Sequence, residues 1–336
     1  WRFFETFATA AHNHLPPDNF QEDPEPITAS RTSPTNIGLY LLSAIAAHEM
    51  GWTGRAETVE RLEATLTTLH RLERHRGHFY NWYDTLDLRA LEPRYVSSVD
   101  SGNLAGHLIA VAGACRAWSA DTSADASPLD LDAIELARQE AEELTRSRRV
   151  PSLNWPAIEA EIAALQERAR SAASQTDNAT LGELLAALSN MDDTLQAHTL
   201  AEVGDPSGDL AFWLQTAARS VKARMTEPGQ TLLLRERLTR LADAFRRVAL
   251  EMDFAFLLDR ERQLLSIGYR GADAVLDPSC YDLLASEARL ASLVAIAKGD
   301  APHKHWFRLG HSVTLSAHGP ALLSWSGSMF EYLMPT

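Results

Sequence analysis

One glutamate near the end of the chain falls among apolar residues. Residues 280–298 read CYDLLASEARLASLVAIAK, which predicts a helix. Steps of three and four residues define its inward stripe as Leu283, Leu284, Leu290, Ala291 and Val294. Glu287 lies inside that stripe, where desolvation disfavours a charged carboxylate. Two interpretations stay open, an ion pair with an interior arginine and a general acid/base that faces a cleft.

The residues just before Glu287 offer further polar chemistry. Asp282 stands five residues earlier and is rotated away from Glu287 on the expected helix, so it would act separately, for example on a ligand hydroxyl. Tyr281 could supply an aromatic edge. The predicted helix has Asp277 or Ser279 at its cap and ends at Lys298 and Gly299.

A second stretch with possible binding chemistry is GHFYNWYDT, residues 77–85. The four aromatic residues nearly adjoin and polar residues interrupt them, whereas a buried helix would repeat aromatics at three- or four-residue spacing. We expect a wall that touches a ligand, built from Phe79, Tyr80, Trp82 and Tyr83. Asp84 follows directly and is a candidate for binding sugar hydroxyls.

Two other places combine carboxylates with aromatic or polar residues. Asp100 lies in VSSVDSGNLAGHL, where it or Ser101 can cap a helix, and capping is favoured over catalysis. The run WSGSMFEYL places Trp325 near Glu331, so stacking and hydrogen bonding could coexist there. Core packing of Trp325 is an equal alternative.

The elements that must position these residues are mostly helical. A helix is expected over 37–51, with Ser33, Thr35 or Asn36 as its cap. Further helices are expected over 55–76, from the Asp100 or Ser101 cap to near Trp118, and over 230–252. The segment FAFLLDRERQLLSIGY predicts a small β-hairpin. No repeated βαβ unit is present, which excludes a doubly wound sheet. We predict an all-α fold, a toroid of helical hairpins whose loops build a site at one end.

Three parts of the chain differ in character. Residues 1–119 and 229–336 alternate buried and amphipathic helices, whereas 120–228 is rich in Ala, Glu, Arg and Gln, with breaks near 150–155, 174–178 and 203–208. The middle part shows no chemistry, and its charges are typical of a solvated helical insertion or lid.

Net charge and composition limit the classes of partner that the chain can bind. A formal charge of −14 and a pI near 5.3 argue against nucleic acid, because phosphate binding needs clustered Lys and Arg. The sequence contains no apolar run of about 18 residues and nothing like a signal peptide. Cys115 and Cys280 are expected to pack rather than to form a disulfide. The chain begins at Trp1, and we expect it to be a piece of a longer polypeptide.

Other chemistries lack their signatures. The pairs His12 with His14 and His303 with His305 have neither helical i, i+4 spacing nor Cys partners, so we expect no metal site. Phosphate loops, nucleophile elbows and dinucleotide fingerprints are also lacking, and no cofactor is expected.

A set of segments together resembles the central, glucoamylase-like domain of cyclic β-1,2-glucan synthases. They cover about 15–119 and 230–336 and are LPPDNFQEDP, RTSPTNIGLYLL, RLERHRGHFYNWYDT, LEPRYVSSVDSGNLAGHL, LLSIGYR, LDPSCYDLLASEARLASLVAIAKG, HWFRLG and SWSGSMFEYLMP. The resemblance implies an (α/α)6 barrel and a retaining transglycosylase that closes linear β-1,2-glucan into a ring. An endo-β-1,2-glucanase-type hydrolase and a noncatalytic glucan-binding domain are the alternatives.

The resemblance also implies roles and partners. Glu287 matches the catalytic glutamate of SCYDLLASEARLAS, and the second carboxylate is expected downstream of FEYLMP. Glucan would stack on Tyr80, Trp82 and Tyr83 and hydrogen-bond to polar groups, and the expected hydroxyl-binding residues are Asp84, Asp100, Asn103 and Asp282. The expected flanking partners are a glucosyltransferase domain and a phosphorylase-like domain of one polypeptide. That protein would work at the cytoplasmic side of the bacterial inner membrane.

Overall fold

Helices dominate the structure, which is a computed structural model of the chain. Helix accounts for 62% and strand for 12% of it, so the predominance of helix is confirmed, while the closed toroid stays a prediction. The described residues are 1–121, 132–147, 154–174, 177–199, 208–226, 231–283, 285, 287–317, 319–323 and 329.

The elements follow one another along the described chain as short strands set between helices. The α-helices are α1 (Arg2–Phe7), α2 (Pro34–Glu49), α3 (Arg55–Arg71), α4 (Ser98–Ala120), α5 (Asp132–Ser147), α6 (Trp155–Ser174), α7 (Asn178–Thr199), α8 (Gly208–Thr226), α9 (Thr231–Glu251), α10 (Ala288–Lys298) and α11 (Lys304–Arg308). The strands are β1 (Phe20–Gln21), β2 (Ile27–Thr28), β3 (Arg31–Thr32), β4 (Arg74–His75), β5 (His78–Phe79), β6 (Tyr83–Asp84), β7 (Tyr95–Ser97), β8 (Leu258–Asp259), β9 (Leu264–Leu265), β10 (Gly268–Arg270), β11 (Val275–Leu276), β12 (Val313–Ser316) and β13 (Gly319–Leu322).

Helix α3 is shorter than the predicted span 55–76. It ends at Arg71, and the residues that follow form the antiparallel β4–β5 hairpin. The hairpin turns at Arg76 and Gly77, whose φ angles of 50° and 81° are those of a two-residue hairpin loop. An added Cβ on Gly77 would lie 2.0 Å from the backbone oxygen of Glu251, so this turn also approaches another backbone closely. The predicted helix over 230–252 and the predicted β8–β9 hairpin are confirmed.

The chain divides into two compact units. The first contains Trp1–Arg2, Ala44–Arg61 and Ala117–Leu238, and the second contains Phe3–Ser43, Leu62–Arg116 and Thr239–Thr336. In the first unit, α5 packs against α6 and α8, and α7 also packs against α6 and α8, which makes a four-helix ring. Its core is aliphatic, as the residues Ile134, Ile162, Leu165, Leu188, Leu214 and Val221 illustrate. The interpretation of 120–228 as an insertion or lid stays a prediction.

In the second unit, a small sheet connects the segments that carry the candidate site residues. Strand β10 pairs antiparallel with β7 on one side and with β11 on the other. Strand β7 runs directly into α4, and β11 runs into the segment that leads to Glu287. The Ser98 backbone and hydroxyl both donate to the Ile267 carbonyl, at 3.0 and 3.1 Å, so the start of α4 is tied to the same sheet.

Helix α4 approaches α10 at a glycine. An added Cβ on Gly102 would lie 2.4 Å from both Cα and Cβ of Ala291, a distance that real Cβ atoms essentially never reach. One turn later, an added Cβ on Gly106 would lie 2.8 Å from the Leu290 side chain. The two backbones can therefore come this close only because side chains are missing from α4.

Replacing Gly102 with Ala should lower the free energy of unfolding by about 2 kcal/mol, because the new methyl group collides with the Ala291 backbone. Gly113 on the same helix is the matched control, since its Cβ would meet nothing within 4 Å. Gly113→Ala should stabilise the chain by roughly 0.5–1 kcal/mol through helix propensity. Urea unfolding followed by circular dichroism measures both, and shifts of the same sign in the two variants would contradict the close approach.

A second expectation concerns His78, which is fully buried beside the rings of Phe254 and Phe256. Burial lowers the pKa of His78 from 6.5 to about 4, so the folded state keeps it neutral. Between these two values the unfolded chain binds a proton that the folded chain does not. Stability should therefore fall as pH drops from 6.5 towards 4, by at most about 3 kcal/mol.

Substitution of His78 by Phe removes this proton and should flatten the pH dependence over that window. Thermal melts of both chains between pH 7 and pH 4.5 measure the effect. Parallel curves for the two chains would show that another group causes the acid sensitivity.

Candidate functional site

Glu287 lies on a turn that hydrogen bonds hold in place. The Asp282 carboxylate accepts from the Ala285 backbone at 3.0 Å, and the Ala288 backbone donates to the Ala285 carbonyl at 2.9 Å. The Leu283 backbone donates to the Gly310 carbonyl at 2.8 Å. Further along, Arg289 Nε donates to the Leu283 carbonyl, also at 2.8 Å. The backbone of Glu287 is therefore supported from both sides.

The predicted helix over 280–298 was wrong in its first half. Helix α10 begins at Ala288, and Glu287 is its N-cap residue, although its side chain makes no capping hydrogen bond. The predicted apolar stripe around Glu287 is therefore not the face of one helix. Asp282 belongs to the turn that precedes Glu287, and not to another face of the same helix. A tertiary hydrogen bond from the Leu283 backbone to Gly310, together with the local bond from Arg289 to the Leu283 carbonyl, overrides the helix propensity of this segment. Gly299 ends the helix in the left-handed conformation, as predicted.

Tyr281 connects this turn to the start of α4. Its ring packs against a buried cluster of Val99, Ala285 and Ala288. Burial, followed by the negative charge of Glu287, raises the pKa of Tyr281, and Asp100 adds to this effect. The phenol therefore stays protonated at neutral pH and can donate a hydrogen bond in a place where carboxylates gather.

Asp100 does not cap its own helix. The cap of α4 is Ser97, whose hydroxyl accepts from the Asp100 backbone at 3.1 Å, so the prediction that Asp100 or Ser101 serves as cap was wrong. The Asp100 side chain instead accepts from the Thr35 hydroxyl at 2.6 Å, and Asn103 Nδ2 donates to the same hydroxyl at 3.2 Å. The carboxylate is thus held at the start of α2, where Ser33 supplies the cap as predicted.

The aromatic stretch is mostly core. Phe79, Tyr80 and Tyr83 are buried, and the Tyr83 hydroxyl accepts from the Tyr80 backbone at 2.7 Å and donates to the Glu73 carbonyl at 2.6 Å. Burial also raises the pKa of Tyr83. Stacking of a ligand on Tyr80 and Tyr83 stays a prediction, and in this conformation both rings are buried.

Trp82 is the aromatic residue of the stretch that keeps partial exposure. The Arg31 guanidinium lies over its ring at 4.8 Å from the centroid. With the Asn81 amide oriented to satisfy its neighbours, its nitrogen donates to Asp100 at 2.8 Å and its oxygen accepts from Trp82 Nε1 at 3.3 Å. Trp82 is thereby connected to the Asp100 group.

Asp84 has a local structural task. Its carboxylate accepts from the backbones of Leu86 and Asp87 at 2.7 and 3.3 Å and lies 3.7 Å from Arg89. These bonds close the loop after β6, and the side chain is only half-buried. Two further predicted residues, Trp325 and Glu331, lie outside the described residues.

The predicted histidine pairs show no shared chemistry. His305 is buried and contacts the Gln263 carbonyl at 3.0 Å and the Ser292 hydroxyl at 2.8 Å, and His12 contacts the Thr85 hydroxyl at 2.7 Å. Within the described part of the chain, no group of three or more metal-ligating side chains occurs.

The structure thus gathers one polar group, which we call the Asp100 cluster. Its members share direct hydrogen bonds at the starts of α2 and α4, and they are Thr35, Asn81, Trp82, Asp100 and Asn103. The negative charges of Glu287 and Asp100 both raise the pKa of Tyr281. Tyr281 therefore senses both the Asp100 cluster and the turn at Glu287. Sequence reasoning missed the role of Asn81, and the available signal was an amide directly beside Trp82 in the aromatic stretch.

The capping assignment can be tested with two serines at the start of α4, Ser97 just before the helix and Ser101 in its first turn. Ser97→Ala removes the hydroxyl that accepts from the Asp100 backbone and should lower the free energy of unfolding by about 1 kcal/mol. Ser101 is the matched control, because its buried hydroxyl makes no hydrogen bond among the described residues, so Ser101→Ala should be neutral or stabilising. Chemical denaturation compares the two, and equal losses would contradict Ser97 as the cap.

Comparison with known proteins identifies a long relative. The chain is 46% identical to the cyclic beta-(1,2)-glucan synthase NdvB of Rhizobium meliloti (strain 1021) in an alignment of 345 residues that covers 100% of this chain. No family model matches the chain. Within the described residues, no helix is long and apolar enough to cross a membrane. The chain spans 12% of the length of that relative. The resemblance is confirmed, and the chain is homologous over its whole length to a segment of a cyclic β-(1,2)-glucan synthase.

Proposed function

We propose that the chain is part of a domain that closes linear β-1,2-glucan into a ring by anomer-retaining transglycosylation. The observation that carries this proposal is the 46% identity, over the whole chain, to a cyclic β-(1,2)-glucan synthase. The relative's printed name gives a product, and ring closure is the step that this chain would perform. An (α/α)6 barrel, with 120–228 as an insertion or lid, is the architecture we propose for that domain.

Glu287 is the proposed general acid/base. Its position supports this role because the turn around it is supported by the Asp282 carboxylate and by Arg289, while its own side chain is not used as the helix cap. In the first step Glu287 gives its proton to the oxygen of the glycosidic bond that breaks. In the second step it takes the proton from the attacking 2-hydroxyl at the nonreducing end of the same chain.

A retaining reaction needs a second carboxylate as nucleophile, about 5 Å from the first. We propose that residues outside this chain supply it, as the family resemblance implies. The nucleophile forms a bond to the anomeric carbon as the glycosidic bond breaks, and the reducing-end part of the chain leaves with the proton from Glu287. Attack by the 2-hydroxyl then breaks the bond to the nucleophile and forms a new glycosidic bond. One glycosidic bond is lost and one is formed, so no water is consumed; the ring has no reducing end, and the released piece keeps the original one.

Glucan contacts are proposed at the residues that the structure leaves accessible. Trp82 would stack on a sugar ring, and Asp84, Asp100, Asn103 and Asp282 are half-buried polar residues that would bind hydroxyls. The neutral Tyr281 phenol is a further hydrogen-bond donor beside Glu287. Trp325 and Glu331 remain proposed contacts on sequence grounds. The flanking glucosyltransferase and phosphorylase-like domains, and a place at the cytoplasmic face of the inner membrane, belong to the same proposal.

Glu287→Gln should abolish ring closure, because the amide cannot exchange the required proton while its size is unchanged. The assay uses linear β-1,2-glucan and the full-length protein that carries this chain, with products separated by mass and tested for reducing ends. We expect a loss of at least about 100-fold in rate. Glu261→Gln, in the loop between β8 and β9, is the matched control and should retain activity.

The alternatives give different products. Accumulation of short reducing oligosaccharides alone, without any ring product, from the unsubstituted protein would indicate a hydrolase rather than a ring-closing enzyme. Glucan binding without any turnover would indicate a noncatalytic binding domain. Unchanged turnover in Glu287→Gln would remove Glu287 from the mechanism.

A further inference from the structure

Four separated segments of the sequence meet around the Trp82 ring. Asp18 lies in LPPDNFQEDP, Arg31 in RTSPTN, Trp82 in GHFYNWYDT and Asp100 in VSSVDSGN. The β3–β6 pairing brings two of these segments together, with Arg31 opposite Asp84 and Thr32 opposite Tyr83. Trp82 is thus contacted by Arg31 and Asn81, which connect it in turn to Asp18 and to Asp100.

Arg31 contacts one face of the Trp82 ring. Its guanidinium lies over the indole at 4.8 Å and is fixed by Asp18, which accepts from Arg31 Nε and from a terminal nitrogen at 3.2 and 3.0 Å. Asn36 donates to the other Asp18 oxygen at 3.3 Å. Asp18 and Asn36 therefore connect the cation over the ring to the start of α2.

A second interaction is a hydrogen bond at the indole nitrogen of Trp82. With the Asn81 amide oriented so that its oxygen and its nitrogen both find partners, Trp82 Nε1 donates to the Asn81 side-chain oxygen at 3.3 Å, and the Asn81 amide nitrogen donates to Asp100 at 2.8 Å. The backbones on either side are also fixed, since Asn81 donates to the Tyr95 carbonyl at 2.7 Å and the Trp82 carbonyl accepts from Leu91 at 2.9 Å. Rotation of the indole would break the bond to Asn81.

We propose that Asn81 is a positioning residue, which orients Trp82 for stacking on one glucosyl ring of the glucan and couples that ring's orientation to Asp100. This inference rests on the proposed function for the ligand, but the orientation of Trp82 does not depend on it. Asn81 touches no sugar itself. It acts by reducing the freedom of the indole before the glucan binds, so that less freedom is lost on binding.

The test is a double-mutant cycle on the 336-residue chain. Asn81→Leu keeps the size of the side chain and removes both hydrogen bonds, and Trp82→Phe removes the indole Nε1 that Asn81 holds. Titration calorimetry with linear β-1,2-glucan measures the affinity. Asn81→Leu should weaken binding about fivefold in the unsubstituted chain, and by less than about twofold in the Trp82→Phe chain.

A second readout needs no glucan. Asn81→Leu should change the near-ultraviolet circular dichroism of the free chain, and this change should disappear in the Trp82→Phe background. Thr35→Val is the matched control, because it removes the other side-chain donor to Asp100 but no bond to Trp82. We expect it to leave the indole signal unchanged.

Each outcome decides the matter. Equal losses of affinity in the two backgrounds, or an unchanged indole signal, would overturn the positioning role. If the unsubstituted chain fails to bind the glucan, the proposed glucan contacts are wrong, and the dichroism alone decides whether Asn81 orients Trp82. If Asn81→Leu fails to fold, as judged by far-ultraviolet dichroism, Asn81→Ala takes its place in the same cycle.

Discussion

The close approach of α4 and α10 is the constraint on which the candidate site depends. Asp100 and Asn103 lie in the first turns of α4, and Glu287 precedes the first residue of α10. Their helices meet where Gly102 faces Ala291, and a methyl group at position 102 would overlap the other backbone. Interiors are packed too densely to absorb such an overlap without a shift of one helix. The distance between the polar residues of α4 and the Glu287 turn therefore depends on the lack of a side chain at Gly102.

The small sheet β7–β10–β11 adds the second constraint. It joins the segment before α4 to the segment before Glu287 through backbone hydrogen bonds, so both approach the site from one rigid support. Side-chain bonds from Asp282 and Arg289 then fix the turn that carries Glu287. Polar side chains in this region are thus mainly used to hold the backbone, which is how a site is kept in one geometry before a ligand arrives.

The electrostatics of this region are consistent with chemistry on a neutral, hydroxyl-rich ligand. Two carboxylates, Asp100 and Glu287, act on the Tyr281 phenol, which burial keeps protonated. The Thr35 hydroxyl and the Asn81 amide donate to Asp100, and Asn103 donates to the Thr35 hydroxyl. Acceptors and donors at close range suit the hydroxyls of a glucan, whereas a phosphate group would meet mainly negative charge.

The sequence by itself determined the helical character, both ends of α9, the C-terminal end of α10 and the β8–β9 hairpin, because periodicity, caps and turn residues are local properties. It also narrowed the cap of α2 to three residues, of which Ser33 is the one used. It also determined the family resemblance. Only the tertiary structure decided that Tyr80 and Tyr83 are core, that Glu287 opens a helix instead of lying on one, and that Asn81 connects Trp82 to Asp100. These outcomes depend on burial and on hydrogen bonds between residues far apart in the chain, such as Leu283 with Gly310, which no local pattern contains.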